Sequence, residues 1–324
     1  MHMRQQNNFF IAIIILNWNG KKDTLECLSS LEKLNYTNYK IILVDNGSTD
    51  DSVTTIRAQF PNITLIESSE NLGFAGGNNL GIEYALKLKP DYIFLLNNDT
   101  VTAPDLLDTL VEGSSYADIL GAKLYLYSKP DTFDHLGGIW KKETATFDLI
   151  ANRVVDDRTS WEDPLEIDYA CGAALFIKRE VIETIGMLEP KFFLIWEESD
   201  FCFRAKKAGF TIKLCPQAKV WHKVSASFVG GKVHSTYFWW RGRLLWIHRN
   251  CSTSEKWRLF LTVIFPETLH MLKLQIIKTL LLLFSSKSKK EEKRKYLRKQ
   301  RAALSGIKDY LLNKFGKGPS WIYK

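Results

Sequence analysis

The sequence predicts an α/β protein built around a largely parallel sheet. Short runs rich in Ile, Leu and Val alternate with amphipathic stretches through the first hundred residues. Each apolar run ends in a cluster of Asn, Asp, Gly or Ser. Strand–helix alternation implies right-handed crossovers between parallel strands. In such sheets ligands bind at the carboxyl ends of the strands, where these polar clusters fall.

In order, strands are expected at residues 9–16, 41–44, 64–66 and 92–96, and helices at 24–34, 52–60 and 78–88. Asn17-Trp18-Asn19-Gly20 follows the first strand, and a run from Asp45 to Asp50 follows the second. A glycine-rich loop, 71–79, containing Asn71, Gly73, Gly77 and Asn78, follows the third. Asn97-Asn98-Asp99 follows the fourth. Any one cluster reads as turn chemistry; four on one sheet edge suggest a site.

Residues 123–164 show no assignable pattern. A strand is expected over 168–177, then a helix over 178–185. A helix runs to Ala208 with Gly209 as its stop, a strand covers 211–214, and Val220-Trp221-His222 follows. From residue 237 the chain reads as helical. The organisation expected is a catalytic domain over 8–236, divided near 122, and a basic helical extension over 237–324.

Hydrophobic residues make up 45% and charged residues 25% of the 324, which permits a packed core and excludes global disorder. Five cysteines, with no CxxC spacing, suggest neither a disulfide framework nor a zinc site. Residues 9–16 are too few, and lack the small-residue cleavage site, for a leader peptide. Of the net charge of +8, residues 285–324 carry +10 and the body −2. A basic tail on a near-neutral body favours an anionic surface as partner. No nucleic-acid-binding signature accompanies it, so no nucleic-acid partner is expected.

Asp99 emerges from a wholly apolar strand, where a carboxylate can hold a hard cation or cap a helix. Asp45, at another strand end, suits a ribose or base contact or an Asx turn. Glu197 and Glu198 sit between aromatic residues and a helix. Crowding and desolvation there would raise one carboxyl pKa, as a general base needs; acids in a first helical turn also suit the helix dipole. His222 ends a strand and reads as a metal ligand or a structural histidine.

The ordered set resembles the family 2 glycosyltransferases, and within them the rhamnosyltransferase-like bacterial members. The resemblance rests on LNWNG (16–20), VDNGSTDDS (44–52), NLGFAGGNNLGI (71–82), LLNNDT (95–100), the segment 171–210 containing FFLIWEESD, and VWHKVSAS (220–227). It implies a GT-A fold, a Rossmann-like mixed sheet flanked by helices. It implies inverting transfer from a dTDP- or UDP-linked sugar, with Mg²⁺ or Mn²⁺ as cofactor. Carried onto this sequence, Asn17, Trp18, Asn19, Asp45, Asn71, Gly73, Gly77, Asn78, Asn97 and Asn98 would line the nucleotide-sugar pocket. Asp99 and His222 would hold the metal. Glu198, with Glu197 as rival, would be the base. Two departures stand out: Asn97 replaces the first acid of the usual DxD motif, and Glu198 stands where the family more often has Asp.

Residues 259–284 are apolar but interrupted by Pro266, Glu267, His270, Lys273 and Lys278. With the basic run 287–301 they read as an interfacial, lipid-facing element, or as a helical cap on the core. The expected setting is cytoplasmic, peripheral on the inner face of the plasma membrane, with a lipid-linked or cell-surface glycan as acceptor. Two other functions fit the pattern less well. A sugar-nucleotide-forming nucleotidyltransferase needs a basic glycine-rich loop, which residues 17–20 lack. The other is a non-catalytic nucleotide-sugar-binding protein of the same fold.

Overall fold

The structure is a computed structural model that describes residues 8–224, 232–283 and 287–323. The first half follows the expected alternation: β1 (Ile11–Asn17), α1 (Lys21–Leu31), β2 (Tyr39–Asp45), α2 (Ser52–Gln59), β3 (Thr64–Glu67), α3 (Gly73–Lys87) and β4 (Tyr92–Asn97). A short β5 (Thr100–Thr102) and α4 (Leu106–Gly113) follow. Strands β3, β2, β1 and β4 lie side by side and parallel. Their register sets Asn17 opposite Asp45 and Leu16 opposite Asn97, so the polar clusters share one edge.

Both faces of the sheet are covered, which explains why β1 is apolar at successive positions rather than alternate ones. Ile11, Ile13 and Ile15 pack with Cys27, Leu28 and Leu31 of α1 and Leu106 of α4. Ala12 and Ile14 face the opposite layer, with Ala75, Ile82 and Ala85 of α3.

The segment without assignable pattern folds as β-arms: β6 (Ile119–Leu126), β7 (Lys129–His135), β8 (Gly138–Lys141) and β9 (Thr146–Leu149). Then come β10 (Leu165–Glu166), β11 (Ala174–Lys178), α5 (Arg179–Ile185), a 3₁₀ turn (Pro190–Phe192), α6 (Glu197–Lys207) and β12 (Ile212–His222). Strand β11 runs antiparallel between β4 and β6, and β12 parallel to β6, giving the order β10-β12-β6-β11-β4-β1-β2-β3. The sheet is therefore mixed.

Three sequence expectations need correction. The strand expected over 168–177 is β11 alone. Before it, Asp168 is tied across the chain, accepting from Trp140 N and from Lys206 Nζ. The pieces 211–214 and 220–222 are one strand, β12, whose register shifts between Cys215 and Lys219. The glycine-rich stretch is a loop only through Leu72; Gly73, Gly77 and Asn78 lie in the opening turns of α3.

The remainder is helical: α7 (Val233–Asn250), α8 (Thr253–Leu259), a π turn (Phe260–Ile264), α9 (Phe265–Leu283) and α10 (Lys287–Leu311). Helix α7 runs across the 236–237 division drawn from the sequence. It packs Phe238 in a stack on Phe193 at 5.2 Å and buries Trp246 against Trp196. Helix α10 packs along α7, with Ala303 and Ile307 against Trp240. The stretch Thr253–Leu281 is long and apolar enough, by length and composition, to cross a membrane, and only 11% of its apolar window is buried. Residues 225–227 of the last motif and Phe284 and Ser285 of the tail lie outside the described residues.

Gly73 shows why glycine is needed at the start of α3. Its φ is +75°, and an added Cβ would fall 2.3 Å from the Phe193 carbonyl oxygen. Gly73→Ala should therefore lower the unfolding free energy by about 2–4 kcal/mol, combining left-handed strain with overpacking. Urea denaturation checks this; unchanged stability would refute the packing account.

Candidate active site

The edge built by β1, β2 and β4 is organised around Asn17, which is fully buried. Its amide donates to Asp45 Oδ1 at 2.8 Å and to Ser48 Oγ at 3.2 Å. Its carbonyl oxygen accepts from Thr24 Oγ1 at 2.8 Å and from the Gly20 N–H at 3.2 Å. Asn98 donates to Thr24 Oγ1 at 2.9 Å and reaches the same Asn17 oxygen at 3.5 Å. Asp45 also accepts from the Ser48 N–H at 3.0 Å. Asn19, at φ +51°, accepts from the Thr49 N–H and so pins the loop after β2. Trp18 is half exposed beside them.

Asn46 fills the same role in the next loop, and the sequence reading missed it. It donates to Asn71 Oδ1 and to the Gly73 carbonyl, and accepts from the Leu72 N–H. Gly77 is held where a Cβ would meet Leu16 at 2.5 Å, so this glycine serves close packing of α3 on β1. Asn78 donates to the Phe74 carbonyl within its own helix. Several residues expected to line the pocket thus shape its frame: Asn17, Asn71, Gly73, Gly77 and Asn78. Trp18 keeps free surface, while Asn97 ends β4 only partly buried.

Asp99 lies in the turn between β4 and β5, and β12 closes over it. His222 pairs with Thr100, and the Lys223 N–H donates to the Asp99 carbonyl. Both side chains are nearly buried, and His222 Nε2 lies 3.2 Å from Asp99 Oδ1. The other ring nitrogen, Nδ1, lies 2.9 Å from Asp134 Oδ2 on β7. Burial alone would lower the His222 pKa, but the bonds to Asp134 and Asp99 push it up to about 9. Burial opposes ionisation of Asp134, yet its bond to His222 and the nearby His135 and Arg153 hold its carboxyl below the ordinary range. Asp134 lies in the segment that gave no sequence pattern, and nothing in its neighbourhood marked it.

The acidic cluster opens α6. The backbone leading into it has Phe193, Ile195 and Trp196 at positive φ, an unfavourable conformation for bulky side chains. Packing enforces it: Trp196 Nε1 donates to the Trp239 carbonyl, and Gly242 of α7 leaves room for the Trp196 ring. Asp200 is a structural anchor, fully buried and bonded to Arg204, Arg249 and Asn250. Glu197 and Glu198 each keep one buried carboxyl oxygen without a hydrogen-bond partner. Burial, and then the neighbouring Glu198, pushes Glu197 well above the usual carboxylate range; burial raises Glu198.

Cys171 connects the two groups of acids. Burial raises its thiol pKa, and the charges of Glu198, Asp134 and Asp99 raise it further. The charges of Glu198, Asp134 and Asp99 all reach Cys171, in the turn before β11. Concavity alone does not mark it. A cavity of about 400 Å³ lined by Lys191, His248, Arg249 and Tyr310 among others shares no residue with it.

The donor set fits a hard or borderline divalent cation: one carboxylate and one imidazole nitrogen aimed at each other. Among the described residues no three His, Cys, Asp or Glu side chains form a complete metal cage. A cation held by Asp99 and His222 would take its other ligands from phosphate oxygens and water, as Mg²⁺ commonly does.

The raised Glu197 pKa has a sign for stability. The folded chain keeps a proton that the unfolded chain releases. This contribution is full below the usual glutamate value of 4.5 and is lost as pH rises through the raised value. Glu197→Gln carries no such proton. Its melting temperature relative to wild type should rise steadily from pH 4.5 toward pH 8 in thermal melts; a pH-independent difference would contradict the burial account.

Residues 12–186 match the family model described as glycosyl transferase family 2. A low-salt glycan biosynthesis hexosyltransferase of Haloferax volcanii is 27% identical over 213 residues, 63% of this chain and 64% of that protein. An N-acetylglucosaminyl-diphospho-decaprenol L-rhamnosyltransferase of Mycobacterium tuberculosis is 24% identical over 264 residues, 68% of this chain and 83% of that protein. A mannosyltransferase of Pyrobaculum calidifontis, solved with GDP-Man and Mn²⁺, superposes with a TM-score of 0.55 at 14% identity, covering 94% of this chain and 87% of that one. That likeness speaks to the fold alone, which is GT-A, as the sequence resemblance implied. With the matched region spanning more than half its length, the chain belongs to glycosyl transferase family 2.

Proposed function

We propose that this glycosyltransferase is metal-dependent and inverting. It moves a sugar, with rhamnose the leading candidate, from a dTDP- or UDP-linked donor to a hydroxyl of a lipid-linked or cell-surface glycan. The observation that carries this reading is the buried pairing of Asp99 with His222, 3.2 Å apart, at the carboxyl end of β4. The rhamnose assignment rests on the mycobacterial relative, whose name specifies a rhamnosyltransferase.

In this reading Asp45, Trp18, Asn19, Asn97 and Asn98 face the nucleotide, held in place by the buried Asn17. Asp99 and His222 would hold Mg²⁺ or Mn²⁺, which would offset the charge that develops on the leaving diphosphate. Glu198 takes the proton from the acceptor hydroxyl as its oxygen bonds to the anomeric carbon and the bond to the diphosphate breaks. Its burial suits this role, because a raised pKa makes a carboxylate a better proton acceptor near neutral pH. The catalytic domain runs from residue 8 past the 236–237 division to the end of α7, and the helices that follow place it at a membrane.

The membrane assignment rests on a stripe. Leu261, Phe265, Leu269, Leu272, Ile276 and Leu280 are all exposed at helical spacing. Arg243 anchors the start of α9 through Glu267, and Lys278 lies over the Tyr296 ring of α10. One side of α9 is thus turned to protein and the other left apolar. A helix with this division, beside the basic α10, suits the plane of an anionic bilayer on the cytoplasmic side.

Asp99→Ala should abolish divalent-stimulated transfer, read as nucleoside diphosphate released from a panel of nucleotide sugars. Glu198→Gln should lower transfer on the order of a hundredfold to ten-thousandfold while nucleotide affinity survives. Near wild-type turnover in either variant overturns the corresponding role. Truncating the tail is a poor membrane test, because α10 supports α7. Leu261→Glu, Ile276→Glu and Leu280→Glu combined should instead abolish sedimentation with vesicles containing phosphatidylglycerol and leave the melting temperature unchanged. Undiminished vesicle binding would remove α8–α9 from the membrane contact.

A further inference from the structure

The proposed cation site has two side chains at its centre, Asp99 and His222. A second carboxylate, Asp134, touches the site from behind. It sits near the far end of β7, one residue before His135, and is almost fully buried. Its Oδ2 lies 2.9 Å from His222 Nδ1, on the ring edge away from Asp99. Its Oδ1 lies 3.1 Å from the Arg153 guanidinium, and its carbonyl oxygen accepts from the Arg153 N–H. Both carboxylate oxygens therefore have partners, one of them the ring that faces Asp99.

An imidazole has two nitrogens, and only the deprotonated one can bind a cation. Which one is available depends on the partner of the other. A carboxylate accepting from Nδ1–H fixes the proton there, leaves Nε2 as the ligand and locks the ring plane. Such partners also make the ligating nitrogen more basic.

We propose that Asp134 is a positioning residue for the cation site, holding His222 with Nε2 directed at Asp99, and that Arg153 holds Asp134 in turn. The inference rests on the proposed metal role of Asp99 and His222. It gives the β6–β7 arm a function in the site that no motif in the sequence assigned to it. Asp134 touches no ligand itself and acts only through the ring.

The test is the affinity of the full chain for Mn²⁺ alone, followed by water-proton relaxation, with folding checked by thermal melts. Asp134→Ala should weaken Mn²⁺ binding by about 10–100-fold. Asp134→Asn keeps an oxygen that accepts from Nδ1–H and should recover most of that loss. Recovery by Asn separates a positioning role from direct ligation or from charge alone. An Asn variant as weak as the Ala variant overturns the proposal. So does wild-type affinity in Asp134→Ala where His222→Ala has lost Mn²⁺. If Asp99→Ala and His222→Ala both bind Mn²⁺ as wild type does, the metal reading itself fails and the role of Asp134 falls with it. Should the Ala variant fail to fold, the Asn variant decides: affinity within a few fold of wild type supports positioning, and a loss of tenfold or more overturns it.

Discussion

One buried amide constrains most of the edge at the carboxyl ends of β1, β2 and β4. Asn17 has no surface of its own, yet its side chain bonds to the loops after β1 and β2, to α1, and to Asn98 after β4. A buried amide left without these partners would incur the full desolvation penalty of its donor and acceptor atoms. The loops are therefore held to one arrangement, and Asp45 with them. Asn46 repeats the device toward α3 through Asn71, Leu72 and Gly73. The site edge is thus a hydrogen-bonded frame with exposed groups, chiefly Trp18, standing on it.

The acid side is held by aromatic packing together with hydrogen bonds from α7. Three large residues at positive φ precede Glu197, and each needs outside support to stay there. Phe193 is stacked on Phe238, Trp196 bonds to the Trp239 carbonyl, and Gly242 of α7 leaves room for the Ile195 carbonyl; beside them the Phe192 carbonyl accepts from the buried Arg241. Arg241 also donates to the Gly316 carbonyl near the end of the chain. Helix α7 and the segment after α10 therefore belong to the architecture of the acid loop. The near-neutral body and the basic tail differ in charge but not in structural dependence.

Much of this was legible in the sequence because the relevant signals are local. Apolar runs of Ile, Leu and Val gave β1, β2 and β4 within about two residues, and the polar clusters after them do share an edge. Asp99 and His222, 123 positions apart in the chain, came together as the family resemblance implied. The misses have physical causes. Gly73 and Gly77 read as loop because glycine favours turns, but close approach to Phe193 and Leu16 demands glycine within a helix. Asp134 was invisible because its meaning depends on a β-arm whose pairing with β6 is irregular, with register shifts at Leu124–Tyr125 and Tyr125–Leu126. The contribution of α7 was likewise hidden, since a helix rich in Trp and Arg reads as a surface cap until Arg241 and Arg243 are seen to be buried.

Two kinds of carboxylate environment within one site bear on how the chemistry divides. Asp134 is bonded to an imidazole and a guanidinium, and its charge is favoured despite burial. Glu197 and Glu198 are desolvated, and the second oxygen of each has no hydrogen-bond partner, so their charge is disfavoured. Environments that push like groups apart separate electrostatic work from proton transfer. Cys171 lies within the fields of Glu198, Asp134 and Asp99, so charges from both environments raise its thiol pKa. A thiol there stays neutral, so it adds no further negative charge between them. The strand that follows it, β11, runs antiparallel between β4 and β6. It sets the Cys171 turn beside the end of β4, where Asp99 emerges. Mixed sheet topology, rather than any single motif, is what sets the turn before β11 beside the end of β4.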